Sequence, residues 1–180
     1  MADSETLYRQ YLDGDEAALA QLIDAHKHGL TLYLFGYVKD ETKAEELMED
    51  TFVRLVLKRP RFSGKSSFKT FLYAIGRNLA LDALRRDKRR RTVPLEDAQQ
   101  TAALQSVEEA YLKEEVSIRL HHAMNKLNDD YREALYLRYF ESLSPDEIAA
   151  LLHKRKKQIE DRLYHAKRAL KAILEQEEAL

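Results

Sequence analysis

Between Arg61 and Tyr73 the chain reads Arg-Phe-Ser-Gly-Lys-Ser-Ser-Phe-Lys-Thr-Phe-Leu-Tyr, with Arg77 and Asn78 just beyond. Aromatic, small polar and cationic residues alternate here across a loop-to-helix junction. Rings stack on unpaired bases and cations neutralise a phosphate backbone, which together are what a single nucleic-acid strand requires. Small polar residues around Gly64 also suit a pocket for a base drawn out of its stack. Packing is the competing use. Phe68, Phe71 and Leu72 fit the apolar face of a helix and are assigned to the core, whereas Phe62, Lys65, Tyr73 and Asn78 fit either role.

Other chemistries find less support. Ser63-Gly64-Lys65-Ser66 resembles the end of a phosphate-binding loop, but that motif needs a glycine where Arg59 stands and a strand before it. The absence of cysteine excludes disulfides, thiol catalysis and thiolate metal sites. His26/His28 and His121/His122 lack the i, i+4 spacing and third ligand of a zinc site. The many carboxylates sit on helix faces beside cations, and no acid–base pair stands out among them. No catalytic group, metal or cofactor is assigned, and the chain is not expected to be an enzyme.

The net charge of −1 conceals strong segregation. Residues 1–50 hold twelve Asp/Glu against four Lys/Arg, whereas Arg54–Arg91 holds thirteen Lys/Arg against Asp82 and Asp87 alone. Residues 92–115 turn acidic again, six to one, and His153–Ala172 is basic, eight to two. Blocks of this density point to a polyanionic partner more than to a merely solvated helix face.

Helices must position these blocks. Five glycines and three prolines leave little turn chemistry for a sheet, and Ala, Leu, Glu, Lys and Arg favour helix. The patterns predict helices over Glu5–Leu12 and Glu16–Val38, the second capped by Asp15. A third starts near Thr42, with Ala44, Leu47, Met48, Thr51, Phe52, Leu55 and Val56 as one stripe and Glu45, Glu46, Glu49 and Asp50 on its outer face. Pro60 and Gly64 end it. Ser66 or Ser67 caps a fourth, whose core face is Phe68, Phe71, Leu72, Ile75 and Leu79 and which ends in Arg85-Arg86-Asp87-Lys88-Arg89-Arg90-Arg91. After a composition break come helices over Glu108–Leu127 and Asp129–Glu141. Ser144-Pro145-Asp146-Glu147 then opens a short helix. His153–Lys157 interrupts the pattern, which resumes with Ile159, Leu163, Ala166, Leu170 and Ile173. Short capped helix, tight turn and longer basic helix describe a helix-turn-helix. The expected fold is all-α: two small helical domains, 1–91 and 116–180, joined by a flexible linker over 92–115. The acidic start of the chain lacks an apolar signal core, and no run approaches the ~20 apolar residues of a membrane span, so a cytoplasmic protein without membrane insertion is expected.

In the order and spacing of these pieces the chain resembles the extracytoplasmic-function sigma factors, which keep only the two conserved domains of bacterial RNA polymerase sigma subunits. Ala44–Leu47 with Glu49–Phe52 is similar to the segment gripping the polymerase clamp helices. Arg61–Asn78 is similar to the −10 recognition and melting segment, and Asp82–Arg86 to the basic helix after it. Leu127–Leu170 resembles the −35 recognition domain, through Tyr131-Arg132-Glu133-Ala134-Leu135, Leu137–Glu141 and Leu143–Ala149.

The resemblance implies partners and roles. Core RNA polymerase would meet Glu45, Glu46, Glu49 and Asp50. In promoter DNA a flipped −10 base would lie against Phe62, Ser63, Gly64, Lys65, Ser66, Ser67 and Asn78, with Tyr73 and Arg77 beside it and Arg85, Arg86, Lys88 and Arg89 on phosphates. Arg155, Lys156, Lys157, Arg162, Lys167 and Arg168 would flank the −35 reading face of Glu160, Asp161, Tyr164 and His165. An anti-sigma factor is a further implied partner.

Three positions depart from the family pattern. Phe71 stands where tryptophan is frequent. His153-Lys154 replaces a glycine and an apolar residue in the turn, so the turn either changes shape or carries strain. Glu160 and Asp161 replace basic or small residues; they either accept from cytosine N4 or only offset nearby cations. Two other readings remain open on the sequence: a helix-turn-helix regulator that does not join polymerase, separated by binding to core enzyme, and a helical interaction protein, separated by a promoter footprint.

Overall fold

A computed structural model describes residues 3–90, apart from Ser63 and Lys65, and residues 119–178, apart from His121. The chain divides into two compact units, Met1–Ala102 and Ala103–Leu180. Helices form both, and no strand occurs among the described residues. The expected linker 92–115 lies outside the described residues, as does most of the helix expected over Glu108–Leu127. No described helix is long and apolar enough to cross a membrane.

The first unit is α1 (Ser4–Leu12), α2 (Glu16–Val38), α3 (Glu41–Lys58) and α4 (Phe68–Arg90). Short acidic side chains start the first three. Asp3 accepts from the Thr6 N–H at 2.8 Å, Asp15 from the Ala17 N–H at 2.9 Å, and Asp40 from the Lys43 N–H at 2.9 Å. These caps satisfy donors that helix geometry leaves without partners. Ser67, not Ser66, starts α4: its Oγ lies 3.3 Å from the Thr70 N–H and its carbonyl 3.1 Å from the Phe71 N–H. α2 and α3 end on Lys39 and Arg59, both left-handed, the latter just before Pro60.

The core of this unit joins Leu22, Leu30 and Leu34 of α2 to Leu47, Phe52 and Leu55 of α3 and Leu72, Tyr73, Ala80 and Ala83 of α4. α4 lies close against α2 and α3 at Gly76. A Cβ there would stand 3.1 Å from Leu30 Cδ1, 3.2 Å from Thr51 Oγ1 and 3.4 Å from Leu34 Cδ2. Thr51 cannot easily yield, because its hydroxyl donates to the Leu47 carbonyl at 2.6 Å.

In the second unit, helical residues 122–125 are followed by α5 (Asp129–Leu135), α6 (Pro145–Leu152) and α7 (Lys156–Glu178). Asn128 caps α5 through the Tyr131 N–H at 2.8 Å, with Asp129 and Asp130 in the first turn. The helix expected to continue to Glu141 changes to a π-helical turn over Tyr136–Phe140. This wider turn stacks the Tyr136 and Phe140 rings, 5.3 Å apart and 7° from parallel. α6 carries the expected capping box in full: Glu147 N–H to Ser144 Oγ at 3.2 Å and Ser144 N–H to Glu147 Oε2 at 2.8 Å. At its far end Lys154 N–H bonds the Ala149 carbonyl at 2.9 Å and His153 N–H the Ala150 carbonyl at 3.5 Å, a Schellman turn. His153 holds the left-handed position, φ 53°. The turn therefore has the shape a glycine would give it and carries the strain instead. α6, this turn and α7 form the helix-turn-helix, packed through Leu135, Leu137, Ile148, Leu151, Leu152, Ile159, Leu163 and Ala166.

Two substitutions test these constraints in opposite directions. Gly76→Val should destabilise the first unit by about 2–3 kcal/mol, the cost of forcing methyl groups into a filled core, read as a lower urea midpoint by far-ultraviolet circular dichroism. His153→Gly should stabilise the second unit by up to about 1 kcal/mol, because relief of left-handed strain outweighs the entropy glycine adds to the unfolded chain. Its thermal midpoint should rise.

Candidate nucleic-acid interface

Three surfaces carry the residues singled out by the sequence. The first is the outer face of α3, where Glu45, Glu46, Glu49 and Asp50 are all exposed. Helical geometry puts Glu46, Asp50, Val53 and Leu57 within about 40° of one line along the axis. Val53 and Leu57 are 52% and 78% exposed, so the acidic face runs into two bare aliphatic side chains. Neither was singled out from the sequence. The signal was present: both fall outside the apolar stripe that builds the core. Together with Asp50, Arg54 and Lys58 they line one wall of an open cleft, whose other wall is Leu79, Asp82, Arg85, Arg86 and Arg89 of α4.

The second surface is the connection from α3 to α4 and the helix that follows it. Gly64 is exposed with φ +69°, a conformation that favours glycine. Ser66 and Ser67 are half-buried; Ser63 and Lys65 lie outside the described residues. Phe62 is half-buried, its ring 6.3 Å from that of Phe68 and 5.8 Å from that of Phe71. Phe68 and Leu72 are core, as expected, while Phe71 keeps part of its surface open.

Tyr73 is not available to a base. It is 0% exposed, with its ring 5.1 Å from that of Tyr33, because α4 turns this side chain toward α2. Arg77 is half-buried and its Nε donates to the Tyr37 hydroxyl at 2.9 Å. Asn78 is exposed. Seven residues separate it from Phe71, which puts both on one face about 10 Å apart. The same line continues through Asp82, Arg85 and Arg89, and Asp82 pairs with Arg85 at 2.9 Å. Arg86 lies close beside it, but Lys88, though exposed, sits about 100° away around the helix.

The third surface is α7. Ile159, Leu163 and Ala166 are buried, while Glu160, Asp161, Tyr164 and His165 are exposed, Tyr164 by 59%. The Tyr164 and His165 rings meet edge-on at 5.3 Å, and the Arg168 guanidinium lies 5.7 Å from the centre of the Tyr164 ring. Lys167 sits 5.2 Å over the ring of Tyr139. Lys157 approaches Asp161 at 3.9 Å and Lys156 reaches Asp146 of α6 at 2.8 Å. Arg155 is exposed, and its N–H donates to Gln158 Oε1 at 2.9 Å, closing the start of α7. Arg162 departs from expectation. Its side chain is only 17% exposed and pairs with Asp130 at 3.1 Å, so it fastens α7 to α5 rather than flanking the outward face.

Residues 22–90 match the family Sigma-70 region 2, and residues 117–170 match Sigma-70, region 4. RNA polymerase sigma factor YlaC of Bacillus subtilis is 31% identical over 169 residues, covering 93% of this chain and 89% of its own. The ECF RNA polymerase sigma factor SigW of the same organism is 27% identical over 175 residues, covering 92% and 94%. Among solved structures, the sigma factor RpoE of Bartonella quintana, in complex with the anti-sigma factor NepR, superposes with a TM-score of 0.66 at 23% identity, over 87% of this chain and 96% of that one. Two units that are helical throughout their described elements, one matching Sigma-70 region 2 and the other, with its helix-turn-helix, matching Sigma-70, region 4, identify the chain as a member of the extracytoplasmic-function group of the sigma-70 family, an RNA polymerase sigma factor.

Proposed function

We propose that the domain over 1–91 docks on core polymerase and melts the −10 element, that the domain over 116–180 reads the −35 element, and that 92–115 links them. One observation carries most of this reading: the first unit presents an acidic-to-aliphatic face on α3 and an aromatic-to-basic line on α4. Glu45, Glu46, Glu49 and Asp50, extended by Val53 and Leu57, suit basic helices of the polymerase clamp. Phe62, Phe71 and Asn78 suit an unstacked strand, with the loop Phe62–Ser67 around a flipped base and Arg85, Arg86 and Arg89 on phosphates. A helix-turn-helix regulator acting alone would use α6 and α7 but would have no need of the α3 face.

On α7, the line of Lys157, Glu160, Asp161, Tyr164 and Arg168 is assigned to the major groove, with Arg155, Lys156 and Lys167 at its margins and His165 at its edge. Carboxylates there would accept from cytosine N4. An anti-sigma factor is proposed as a further partner, on the precedent of the RpoE complex with NepR. The site of action would be the cytoplasm, where polymerase meets promoter DNA.

Charge reversal of Glu46→Lys with Asp50→Lys should weaken holoenzyme assembly by at least about tenfold, ~1.4 kcal/mol. Leu57→Ser should weaken it by a smaller factor. Size-exclusion chromatography with core polymerase reads both, and undiminished assembly would remove the docking assignment. Glu160→Ala and Asp161→Ala should each change base preference at one or two −35 positions by about 1–3 kcal/mol in a randomised-promoter selection. Uniform strengthening of all sequences would mean that these acids only repel the backbone. Arg162→Ala, by contrast, should lower the thermal midpoint of the second unit, at a cost of about 1 kcal/mol, and leave base preference unchanged.

A further inference from the structure

The match to Sigma-70 region 2 begins at residue 22, so α1 lies wholly before it. Yet α1 reaches both ends of the connection between α3 and α4. Tyr8, 0% exposed, donates its hydroxyl to the Pro60 carbonyl at 2.7 Å, across 52 residues of sequence. The same ring lies 5.0 Å from Phe68 and 6.3 Å from Phe71, where the connection rejoins helix. One turn along α1, the ring of Tyr11 sits beneath the guanidinium of Arg59 at 5.2 Å, immediately before Pro60. Phe62 leans on Phe68 and Phe71 and so rests on the same aromatic floor.

α1 is itself fastened to the unit. Ser4 Oγ and His26 Nε2 of α2 are 2.8 Å apart, and the His26 ring packs 5.7 Å from Phe68. Burial pushes the Tyr8 phenol up to about 12, so it remains a donor at any working pH.

We propose that α1 is a positioning element for the −10 loop, with Tyr8 the positioning residue that holds Pro60 and Phe68 at a set separation. The inference rests on the reading that this loop captures a −10 base. The bond to the Pro60 carbonyl and the ring contact with Phe68 fix the two points between which the connection must run, and so lower the entropy cost of bringing its ends together. Preorganisation of this kind acts on the captured state and on discrimination between bases more than on initial docking. Tyr8→Phe separates the two tasks of the side chain. It keeps the ring and the packing but removes the donor to Pro60, whereas Tyr8→Ala would also open the core.

The test uses the full chain with core polymerase on promoters carrying the preferred base, or each other base, at the captured −10 position. Open-complex yield is measured by permanganate reactivity. Tyr8→Phe should lower the ratio of yields between preferred and other bases by about fivefold, the effect expected of one neutral hydrogen bond, with holoenzyme assembly and −35 preference unchanged. A wild-type ratio, or a loss of yield equal for all bases and in step with assembly, would overturn the inference and leave α1 a packing element. Asn78→Ala, measured in parallel, separates the two levels. If it collapses the ratio while Tyr8→Phe does not, only the role of α1 fails. If neither changes the ratio, the loop does not capture the base and both readings fail together.

Discussion

At Gly76 the side chains of α2 and α3 come within 3.1–3.4 Å of where a Cβ would stand, and α4 settles into the notch between them. A helix fixed on one side is fixed on every side. With Gly76 inward, Leu72, Tyr73, Ala80 and Ala83 follow it into the core, and the opposite direction is left to Asn78, Arg85 and Arg89. The same approach seats α3, whose buried Thr51 and Leu55 leave Glu46, Asp50, Val53 and Leu57 outermost. The acidic-to-aliphatic face and the aromatic-to-basic line are thus two results of one contact, and neither could be rotated without the other.

The second unit reaches a comparable definition by other means. Beside its core, the ends of its helices are fixed by hydrogen bonds: a two-way capping box opens α6, a Schellman turn closes it, and the Gln158 side chain closes the start of α7. Arg162 and Asp130 tie the long helix back to α5. Each bond is modest, but together they fix the ends of α6, the start of α7 and the seat of α7 against α5.

Much of this was legible in the sequence. Asp15 and Ser144 cap the helices they were expected to cap, and α2, α3 and α6 begin within a residue of expectation, α3 behind a cap, Asp40, that the apolar pattern did not mark. α4 was legible in extent but not in rotation. Apolar periodicity favours large side chains, so Phe68, Phe71, Leu72, Ile75 and Leu79 drew the core face; the actual face is centred on Leu72, Tyr73, Gly76, Ala80 and Ala83. Small residues mark the closest approach of helices because they are small, and hydrophobicity gives them little weight. That rotation is why Tyr73 is buried and Phe71 partly open. Arg162 could not be placed at all, since its partner Asp130 lies 32 residues away and only tertiary structure joins them. The π-helical turn at Tyr136–Phe140 has no period of its own to reveal it.

The intramolecular ion pairs of α7 have a consequence for the ions around the complex. Lys156 and Lys171 already pair with the carboxylates of Asp146 and Glu175, and Lys157 stands 3.9 Å from that of Asp161. A lysine that turns from its carboxylate to a phosphate displaces a cation from the DNA, but the carboxylate left behind takes up a cation from solution. The net release per such contact falls toward zero instead of the roughly 0.9 expected of an unengaged charge. α7 therefore carries more positive charge than its complex with DNA would reveal in ion release. Its affinity would fall less steeply as cellular potassium rises than a count of its lysines and arginines implies.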